Sequence, residues 1–266
     1  MANPQINQQI VKQLKAILIQ LLGRQAYLRL TSRIFLFSFR RQWLKNNPAY
    51  TVHYFVRHLI GPGQTVIDIG ANLGYYSTEF ARLVGSTGKV LSVEPIQLYR
   101  EILLANTRHL PQVQVLPYAL GEQEGTISMG LPFADQHRHG LMKVLTESEK
   151  QVAPEIFEVE LKHPAKLFGQ LADIHYLKCD IEGYEVPVLP AMRSVIESHQ
   201  PIVQVETDGE NKLILHRMFN EMGYQLFYVQ QDKLVPYPDA QQQLIGDMIC
   251  IPAGKISSIE KLIQRS

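Results

Sequence analysis

The most informative stretch of the chain reads Thr65-Val-Ile-Asp-Ile-Gly-Ala-Asn-Leu-Gly-Tyr-Tyr-Ser77. Its first five residues are mostly β-branched and apolar, which predicts a strand buried on both faces. A turn containing glycine follows, and from Leu73 the apolar residues recur at helical spacing. Because glycine lets a backbone approach a ligand closely and a helix N-terminus offers unpaired N–H groups, this order of elements predicts a nucleotide-type binding loop.

The spacing of glycines and acids in this loop indicates its ligand. A dinucleotide fingerprint would place glycines at positions 70, 72 and 75, but Asn72 and Tyr75 stand at two of them. The loop instead reads Asp68-x-Gly70-x-Asn72-x-Gly74. A carboxylate before the first glycine repels a pyrophosphate but suits a ligand with an ammonium and a sulfonium, which points to S-adenosylmethionine. The alternative is an ordinary strand-to-helix turn whose glycines only allow tight packing.

A second acid supports the S-adenosylmethionine interpretation. Lys89–Val93 is predicted to form the next strand, and Glu94-Pro95 follows it directly. An acid at the tip of the second strand is where doubly wound folds hold a ribose diol. Asp68 and Glu94 are independent acids at the carboxyl ends of two strands, so together they are more specific than the loop alone.

Several motifs resemble those of the FkbM-type methyltransferases. In chain order they are Asp68-Ile-Gly-Ala-Asn-Leu-Gly-Tyr-Tyr-Ser77, Val93-Glu-Pro95, Ala119-Leu-Gly121, Lys178-Cys-Asp-Ile-Glu-Gly-Tyr-Glu185 and Asp247-Met-Ile-Cys-Ile-Pro252. The resemblance extends from about Val56 to Pro252. It implies an α/β fold with a Rossmann-like, seven-stranded, mostly parallel sheet and helices on both faces. It also implies S-adenosylmethionine as the methyl donor and often a hydroxyl of a sugar or natural product as the acceptor.

The resemblance further implies which residues bind the cofactor. They lie in the glycine loop, at the tip of the second strand and in the backbone around the adenine: Asp68, Gly70, Asn72, Gly74, Tyr76, Ser77, Glu94, Ala119 and Leu120. Along the rest of the chain, helical and strand periods alternate, as in a parallel α/β sheet with an antiparallel edge.

Three acids after the fourth and fifth predicted strands are the candidate catalytic residues. Asp180 and Glu182 follow Tyr176–Cys179, and Glu206 ends the strand Ile202–Val205. Open α/β sheets bind ligands at the carboxyl ends of their strands, so these carboxylates are expected on the acceptor side of the cofactor pocket. We predict that one of them, first of all Asp180, takes the acceptor's proton. The alternatives are that Asp180 caps the next helix, or that the acids share a magnesium or calcium ion, which we do not favour.

Charge is distributed unevenly along the 266 residues. Residues 1–60 contain nine Lys or Arg and no acid, whereas the rest holds 17 basic and 25 acidic residues, so a net charge of +9 is followed by −8. The overall charge of +1 argues against a nucleic-acid-binding protein. No apolar run reaches membrane-spanning length and the start does not have the order of a signal peptide. We therefore expect a soluble, cytoplasmic protein whose basic N-terminus can contact a membrane surface.

The chain is predicted to have three parts, namely a basic helical extension (residues 1–50), a methyltransferase domain (51–254) and a helical tail (255–266). Arg33–Trp43 is both aromatic and basic. Either its aromatic side chains pack on the sheet domain, which we favour, or it binds an interface or the acceptor. Residues 131–154 are predicted to form a polar loop, in which His137 and His139 are candidate ligands or bases.

Together these features predict an S-adenosylmethionine-dependent methyltransferase. The expected reaction is O-methylation of a small-molecule or saccharide acceptor, on a hydroxyl of a sugar, glycolipid or natural product. Two alternatives from other classes remain. An NAD-dependent oxidoreductase would share Glu94 but requires the glycine pattern that is missing here. A non-catalytic binding module with a methyltransferase-like domain would not need Asp68 and Glu94.

Overall fold

The computed structural model describes residues 4–131, 142–207, 209–238 and 246–264. The α-helices are α1 Pro4–Leu22, α2 Arg24–Arg40, α3 Thr51–Phe55, α4 Tyr75–Val84, α5 Gln97–Thr107, α6 Glu147–Lys150, α7 Pro164–Phe168, α8 Glu185–Val188, α9 Arg193–His199, α10 Gly209–Glu221 and α11 Ile256–Ile259. The strands are β1 Thr65–Ile69, β2 Lys89–Val93, β3 Val113–Leu116, β4 Ala119–Leu120, β5 Gly125–Gly130, β6 Lys143–Val144, β7 Ile156–Lys162, β8 Tyr176–Cys179, β9 Ile202–Thr207, β10 Tyr224–Gln230, β11 Lys233–Pro236 and β12 Gly246–Pro252.

The main sheet has the strand order β11-β10-β12-β9-β8-β1-β2-β3. Strands β3, β2, β1, β8 and β9 are parallel to one another, and β12 pairs antiparallel with β9. The chain runs outward from β1 to β3 on one side and outward from β8 on the other. The order therefore reverses between β1 and β8, where open α/β sheets bind their ligands. The predicted Rossmann-like α/β fold is confirmed.

The sheet has eight strands, whereas seven were expected. The seven predicted strands are all present, and the additional one is β11, which forms an antiparallel hairpin with β10. Its two-residue turn consists of Gln231 and Asp232, both with positive φ (49° and 62°). This is the geometry that Asn-Gly or Asp-Gly usually marks in a sequence. Gln-Asp does not carry that signal, so the hairpin was missed.

Side chains of the central strands alternate between two hydrophobic clusters. On one face, Val66 of β1 packs in a cluster with Phe80 of α4. On the other face, the next residue, Ile67, belongs to a cluster that includes Phe219 of α10. This period of two covers both faces of the sheet with helices and explains why β1 reads as a continuous apolar run.

The loop after β1 delays the start of α4 to Tyr75, although helical spacing begins at Leu73. Asn72 and Gly74 both have positive φ (48° and 86°), which is incompatible with a right-handed helix. Gly70 also has a positive φ of 78°, and a Cβ added there would overlap the carbonyl oxygen of Asp180. The loop can therefore lie against the end of β8 only if residue 70 is glycine.

A second sheet with the order β4-β7-β5-β6 follows β3 and was not expected as a separate sheet. It packs against α5 through Met129 and Val159, which share a cluster with Tyr99 and Ile102. Strands β4 and β6 are only two residues long. Segments that short have no periodicity to detect, so the residue pattern does not predict them.

The two N-terminal helices meet at Gly23, and α2 is fixed to the body of the protein. Asn106 Nδ2 donates to Ser32 Oγ (3.2 Å), and Tyr54 Oη donates to the carbonyl of Phe39 (3.0 Å). The favoured packing of aromatic residues onto the sheet domain is seen for Phe39, which stacks on Tyr54 with 4.1 Å between ring centroids. Among the described residues, no helix has the length and apolar character needed to cross a membrane.

Substitution of Gly70 tests the close approach between the β1 loop and β8. Gly223 has the same φ of 78° but open space around an added Cβ, so it is a matched control. Gly223→Ala should cost about 1–2 kcal/mol of stability for its φ alone. Gly70→Ala should cost that amount plus about 1–3 kcal/mol for the overlap with Asp180. Urea unfolding of both variants measures the difference, and equal losses would contradict the close contact.

Candidate active site

A cavity of about 660 Å³ lies at the carboxyl ends of β1, β2, β8 and β9. Its wall includes Gly70 and Asn72 after β1, Glu94 after β2, Asp180 after β8 and Glu206 of β9. Cavities of about 300–1,000 Å³ are typical of sites for small molecules and cofactors. The topology therefore gathers at one edge residues as far apart in the sequence as Gly70 and Glu206.

Glu94 holds the glycine loop in place. It is only 5% exposed, and its carboxylate accepts hydrogen bonds from the backbone N–H groups of Asn72 (2.9 Å) and Ile96 (2.8 Å). Burial raises the pKa of Glu94 to about 7, although the two N–H groups oppose the shift. A carboxylate can accept about four hydrogen bonds, so Glu94 retains acceptor capacity toward the cavity.

Asn72 provides a further acceptor on the same wall. Its side-chain oxygen Oδ1 is buried and has no hydrogen-bond partner among the described residues. Buried polar atoms are nearly always hydrogen-bonded, so an atom of this kind on a cavity wall indicates a place for a ligand donor.

Asp68 and Ser77 do not line the cavity. Asp68 is fully buried behind the wall, where Ser77 Oγ donates to its Oδ2 (2.6 Å). Burial raises the pKa of the Asp68 carboxyl against the opposing effect of Lys178 and Ser77. Asp68 and Ser77 therefore support the loop from behind the wall in this structure, and their expected contact with a cofactor stays a prediction. Gly74 likewise serves packing, since a Cβ there would be 2.6 Å from Leu103.

Lys178 was not predicted as a site residue, yet it is the cation at the centre of the site. It is 2% exposed, and its Nζ lies 2.9 Å from Asp180 Oδ2 and 3.8 Å from Asp68 Oδ1. The Nζ also lies 4.8 Å from the ring centroid of Tyr76. Burial alone would lower the pKa of Lys178, but the carboxylates of Asp180 and Asp68 outweigh it and raise the pKa, so the lysine stays charged. Its position inside the Lys178–Glu185 motif was the only sequence feature that indicated a role for Lys178 in the site.

The three predicted catalytic acids come together on the wall of the cavity. One carboxylate oxygen from each of Asp180, Glu182 and Glu206 lies within 4.8 Å of the other two. Burial favours the neutral form of Asp180, but the Lys178 ammonium and hydrogen bonds lower its pKa. Partial burial, the hydrogen bond to Asp180 and the charge of that neighbour raise the pKa of Glu206 to about 9. At neutral pH, Glu206 therefore carries a proton that it shares with the Asp180 carboxylate.

Glu185, the third acid of the motif Asp180–Glu185, holds the backbone that presents Asp180 and Glu182. Glu185 Oε1 accepts from the N–H groups of Ile181 (2.9 Å) and Gly183 (3.3 Å). Glu182 and Gly183 both have positive φ, at 55° and 94°. Glu185 thus stabilises a tight turn rather than facing the ligand.

Gln204 and Asp247 form a polar network that sequence reasoning missed. Gln204 Nε2 donates to Asp247 Oδ2 and to Tyr76 Oη (3.1 Å), while Tyr176 Oη donates to Gln204 Oε1 (2.7 Å). Burial, and then the charge of Asp180, raise the pKa of Asp247 to about 6. The network fixes the Tyr76 ring next to the Lys178 ammonium.

The N-terminal extension and the second sheet complete the cavity. Phe35 of α2 contacts Tyr75, with 4.1 Å between ring centroids, and both line the cavity together with Tyr50. His53 stacks on Tyr76 at 4.0 Å, and burial lowers its pKa to about 3, so it is neutral at physiological pH. From the second sheet come Ala119, Leu120, Met129 and Val144, with Met142 beside it.

The structure thus brings together most of the predicted site residues. Those that line the cavity are Gly70, Asn72, Tyr76, Glu94, Ala119, Leu120, Asp180, Glu182 and Glu206. Asp68, Gly74 and Ser77 lie outside its wall. His137 and His139 lie outside the described residues.

The comparison with known families agrees with this arrangement. The methyltransferase FkbM domain model matches residues 68–226, which is more than half of the chain. The chain belongs to the FkbM methyltransferase family. The resemblance predicted from the motifs is confirmed, and the match favours a methyltransferase over an NAD-dependent oxidoreductase. None of the curated protein sequences matches the chain.

Solved structures with a similar fold are distant in sequence. Methyltransferase FkbM from Methylobacillus flagellatus is 14% identical over 70% of this chain and 43% of its own, with a TM-score of 0.45. A SAM-dependent O-methyltransferase from Thermotoga maritima is 12% identical over 77% and 66%, with a TM-score of 0.44. Fibrillarin from Aeropyrum pernix with bound S-adenosyl-L-methionine is 11% identical over 73% and 68%, with a TM-score of 0.43. This chain spans less than half the length of the first, so membership of the FkbM family rests on the match over residues 68–226.

The shared proton of Glu206 predicts a pH dependence of stability. The pKa of Glu206 is about 9 in the folded protein, whereas an unfolded glutamate has a pKa of about 4.3. Between about pH 5 and about pH 9, the folded protein therefore holds a proton that the unfolded chain lacks, and the free energy of unfolding falls as pH rises. Glu206→Gln keeps a donor to Asp180 but cannot titrate. Urea unfolding across this range should show wild type losing stability relative to Glu206→Gln, and parallel curves would contradict the shared proton.

Proposed function

We propose that the protein is an S-adenosylmethionine-dependent O-methyltransferase that acts on a hydroxyl of a small-molecule or saccharide acceptor. The observation that carries the proposal is the cavity between β1 and β8, which has Glu94 and Asn72 on one wall and the Asp180–Glu206 pair on another. Family membership supports methyl transfer, and the acids support an oxygen as the atom that is methylated.

The residues on the cavity wall suit S-adenosylmethionine. Glu94 would accept from the ribose hydroxyls, and the unpaired Asn72 Oδ1 is available to a donor of the amino-acid end. Ala119 and Leu120 offer an apolar surface for the adenine. Once bound, the cofactor supplies a sulfonium methyl group that an oxygen nucleophile takes by in-line displacement.

Asp180 is the group that can take the proton of the acceptor hydroxyl. Lys178 keeps it ionised, and the protonated Glu206 holds it by a hydrogen bond. A carboxylate is too weak a base to deprotonate an alcohol in advance, but it can accept the proton while the new O–C bond forms, when the oxygen becomes acidic. Asp180 is half-buried and held by Lys178 and Glu206, so it needs no rearrangement to do this.

Activation of the acceptor hydroxyl by a divalent metal is the less favoured alternative. The convergence of Asp180, Glu182 and Glu206 would offer oxygen ligands of the kind magnesium prefers. However, Asp180 is already paired with the Lys178 ammonium and shares a proton with Glu206, so the protein itself offsets part of the negative charge of the cluster.

Removing the charge of Glu94 should weaken cofactor binding. We expect Glu94→Gln, which keeps an acceptor oxygen, to bind S-adenosylmethionine about 2–5 kcal/mol more weakly in titration calorimetry. Because the pKa of Glu94 is about 7, wild-type affinity should rise with pH between about pH 6 and about pH 8 as the carboxyl ionises, and Glu94→Gln should lose this dependence. Glu101→Gln is the control, since Glu101 on α5 pairs with Gln25 and Gln97 outside the cavity. Wild-type affinity in Glu94→Gln, or tight binding of NAD instead, would refute the assignment.

Substitution of Asp180 tests the catalytic step. Asp180→Asn should bind S-adenosylmethionine but form methylated product roughly 10²-fold more slowly or worse, the usual effect of losing a general base. The readout is mass spectrometry of products formed from labelled cofactor in extracts of the source cell. Asp173→Asn is the control, because Asp173 is exposed before the other end of β8.

Three outcomes would change the proposal. Full activity in Asp180→Asn would remove Asp180 from the mechanism. Loss of wild-type turnover in a chelator, with recovery on added magnesium, would assign the metal route instead. Cofactor binding with no transfer in any extract fraction would favour the binding-module alternative.

A further inference from the structure

We propose that helices α1 and α2 dock the protein on the surface of an anionic lipid bilayer. The proposal rests on an exposed apolar stripe on α2, on its continuation at Trp43 and on the charge that surrounds both. None of these features takes part in the catalytic site, so the proposal is independent of the methyl-transfer mechanism.

Helix α2 is apolar on two opposite faces. Leu28 and Phe39 are buried against the body of the protein, together with Ser32. Leu30, Ile34 and Phe37 recur at intervals of four and three residues, so they share a face, and they are 45%, 56% and 51% exposed. Each residue turns the helix by about 100°, which puts Leu30 about 200° from Leu28. The second stripe therefore points away from the protein.

The exposed stripe continues beyond the end of α2. The ring centroids of Trp43 and Phe37 lie 5.5 Å apart in an edge-on contact. The Arg41 guanidinium carbon lies 5.3 Å from the centroid of the Phe37 ring. Trp43 itself is 69% exposed. Tryptophan beside a basic side chain is typical of the boundary between lipid headgroups and acyl chains.

Helix α1 adds a second exposed apolar stripe. Leu14, Ile17, Leu18 and Leu21 lie at helical spacing on one face and are all exposed. A helix is normally stabilised by packing its apolar face against another surface. A contiguous apolar patch that is left exposed therefore marks an interaction site.

Charge identifies the partner as an anionic surface. Arg29, Arg33, Arg40, Arg41 and Lys45 are all exposed around the α2 stripe. Residues 1–60 contain no acid that could neutralise them. A second copy of the same face would bring like charges together, whereas an anionic bilayer accepts both the cations and the apolar stripe.

The test uses the full-length chain and vesicles of phosphatidylcholine with or without phosphatidylglycerol. We expect flotation with the anionic vesicles only, and a blue shift of the fluorescence of Trp43, which is the one tryptophan of the sequence. Binding should weaken when salt rises from about 0.1 M to about 1 M, because the screening length shortens from about 10 Å to about 3 Å.

Paired variants distinguish vesicle binding through the docking face from nonspecific binding. Ile34→Ser with Phe37→Ser, and Arg33→Glu with Arg40→Glu, should each lower vesicle binding about tenfold or more. The control is Ile214→Ser with Arg217→Glu on α10, where Ile214 is 48% exposed and Arg217 is exposed as well. This control should bind vesicles as wild type does. All the substituted side chains are exposed, and circular dichroism verifies that each variant is folded.

Three results would overturn the proposal. One is the absence of flotation with anionic vesicles at low salt, and another is unchanged binding in both α2 variants. The third is a dimer in sedimentation velocity that Ile34→Ser with Phe37→Ser abolishes, in a protein that does not bind vesicles, which would assign the face to a second copy of the chain.

Discussion

The buried ammonium of Lys178 is the constraint on which the site depends. A cation that is 2% exposed is tolerated only because Asp180 and Asp68 surround it. Removing one partner from such a group typically costs about 3–5 kcal/mol, because the remaining charge is left uncompensated in a medium of low dielectric. Lys178 in turn keeps Asp180 ionised, so that the charge which stabilises the centre of the sheet is also the charge that prepares the proposed base.

Strand register explains how these groups meet. Across the central strands, Ser92, Asp68, Lys178 and Gln204 stand opposite one another in the parallel ladder. This row lies near the carboxyl ends of its strands, just below the cavity. A slip of one residue in β8 would turn Lys178 to the opposite face of the sheet and replace it by an apolar neighbour. The polar row therefore fixes the register, and the register places Asp180 and Glu206 side by side.

Gly70 connects this polar row to the side of the cavity where Glu94 lies. The backbone of the β1 loop can lie directly against the carbonyl of Asp180 because residue 70 lacks a side chain. The loop N–H groups of Gly70 and Ala71 donate to the carbonyl of Val93, and that of Asn72 donates to Glu94. The ends of three neighbouring strands thus form one continuous wall, which is the kind of preorganisation that the proposed methyl transfer would require.

The sequence by itself determined the local elements whose chemistry is contained in a few adjacent residues. The β-branched run before Asp68, the glycine spacing and the acids after β2, β8 and β9 were enough to identify the fold class and the family. They also identified Glu94, Asp180, Glu182 and Glu206 as residues at strand tips, because a parallel sheet brings the carboxyl ends of its strands to one edge.

Tertiary structure alone decided which of these residues face the cavity and what else completes it. Asp68 and Asp180 are both acids at strand ends, but only Asp180 lines the cavity, while Asp68 is turned toward Lys178 and Ser77. Phe35 reaches the cavity from α2 and Met129 from a sheet with two-residue strands, and neither position follows from any local pattern. The physical reason is that periodicity encodes whether a residue is buried, whereas contacts between residues distant in sequence depend on how the helices and sheets pack together.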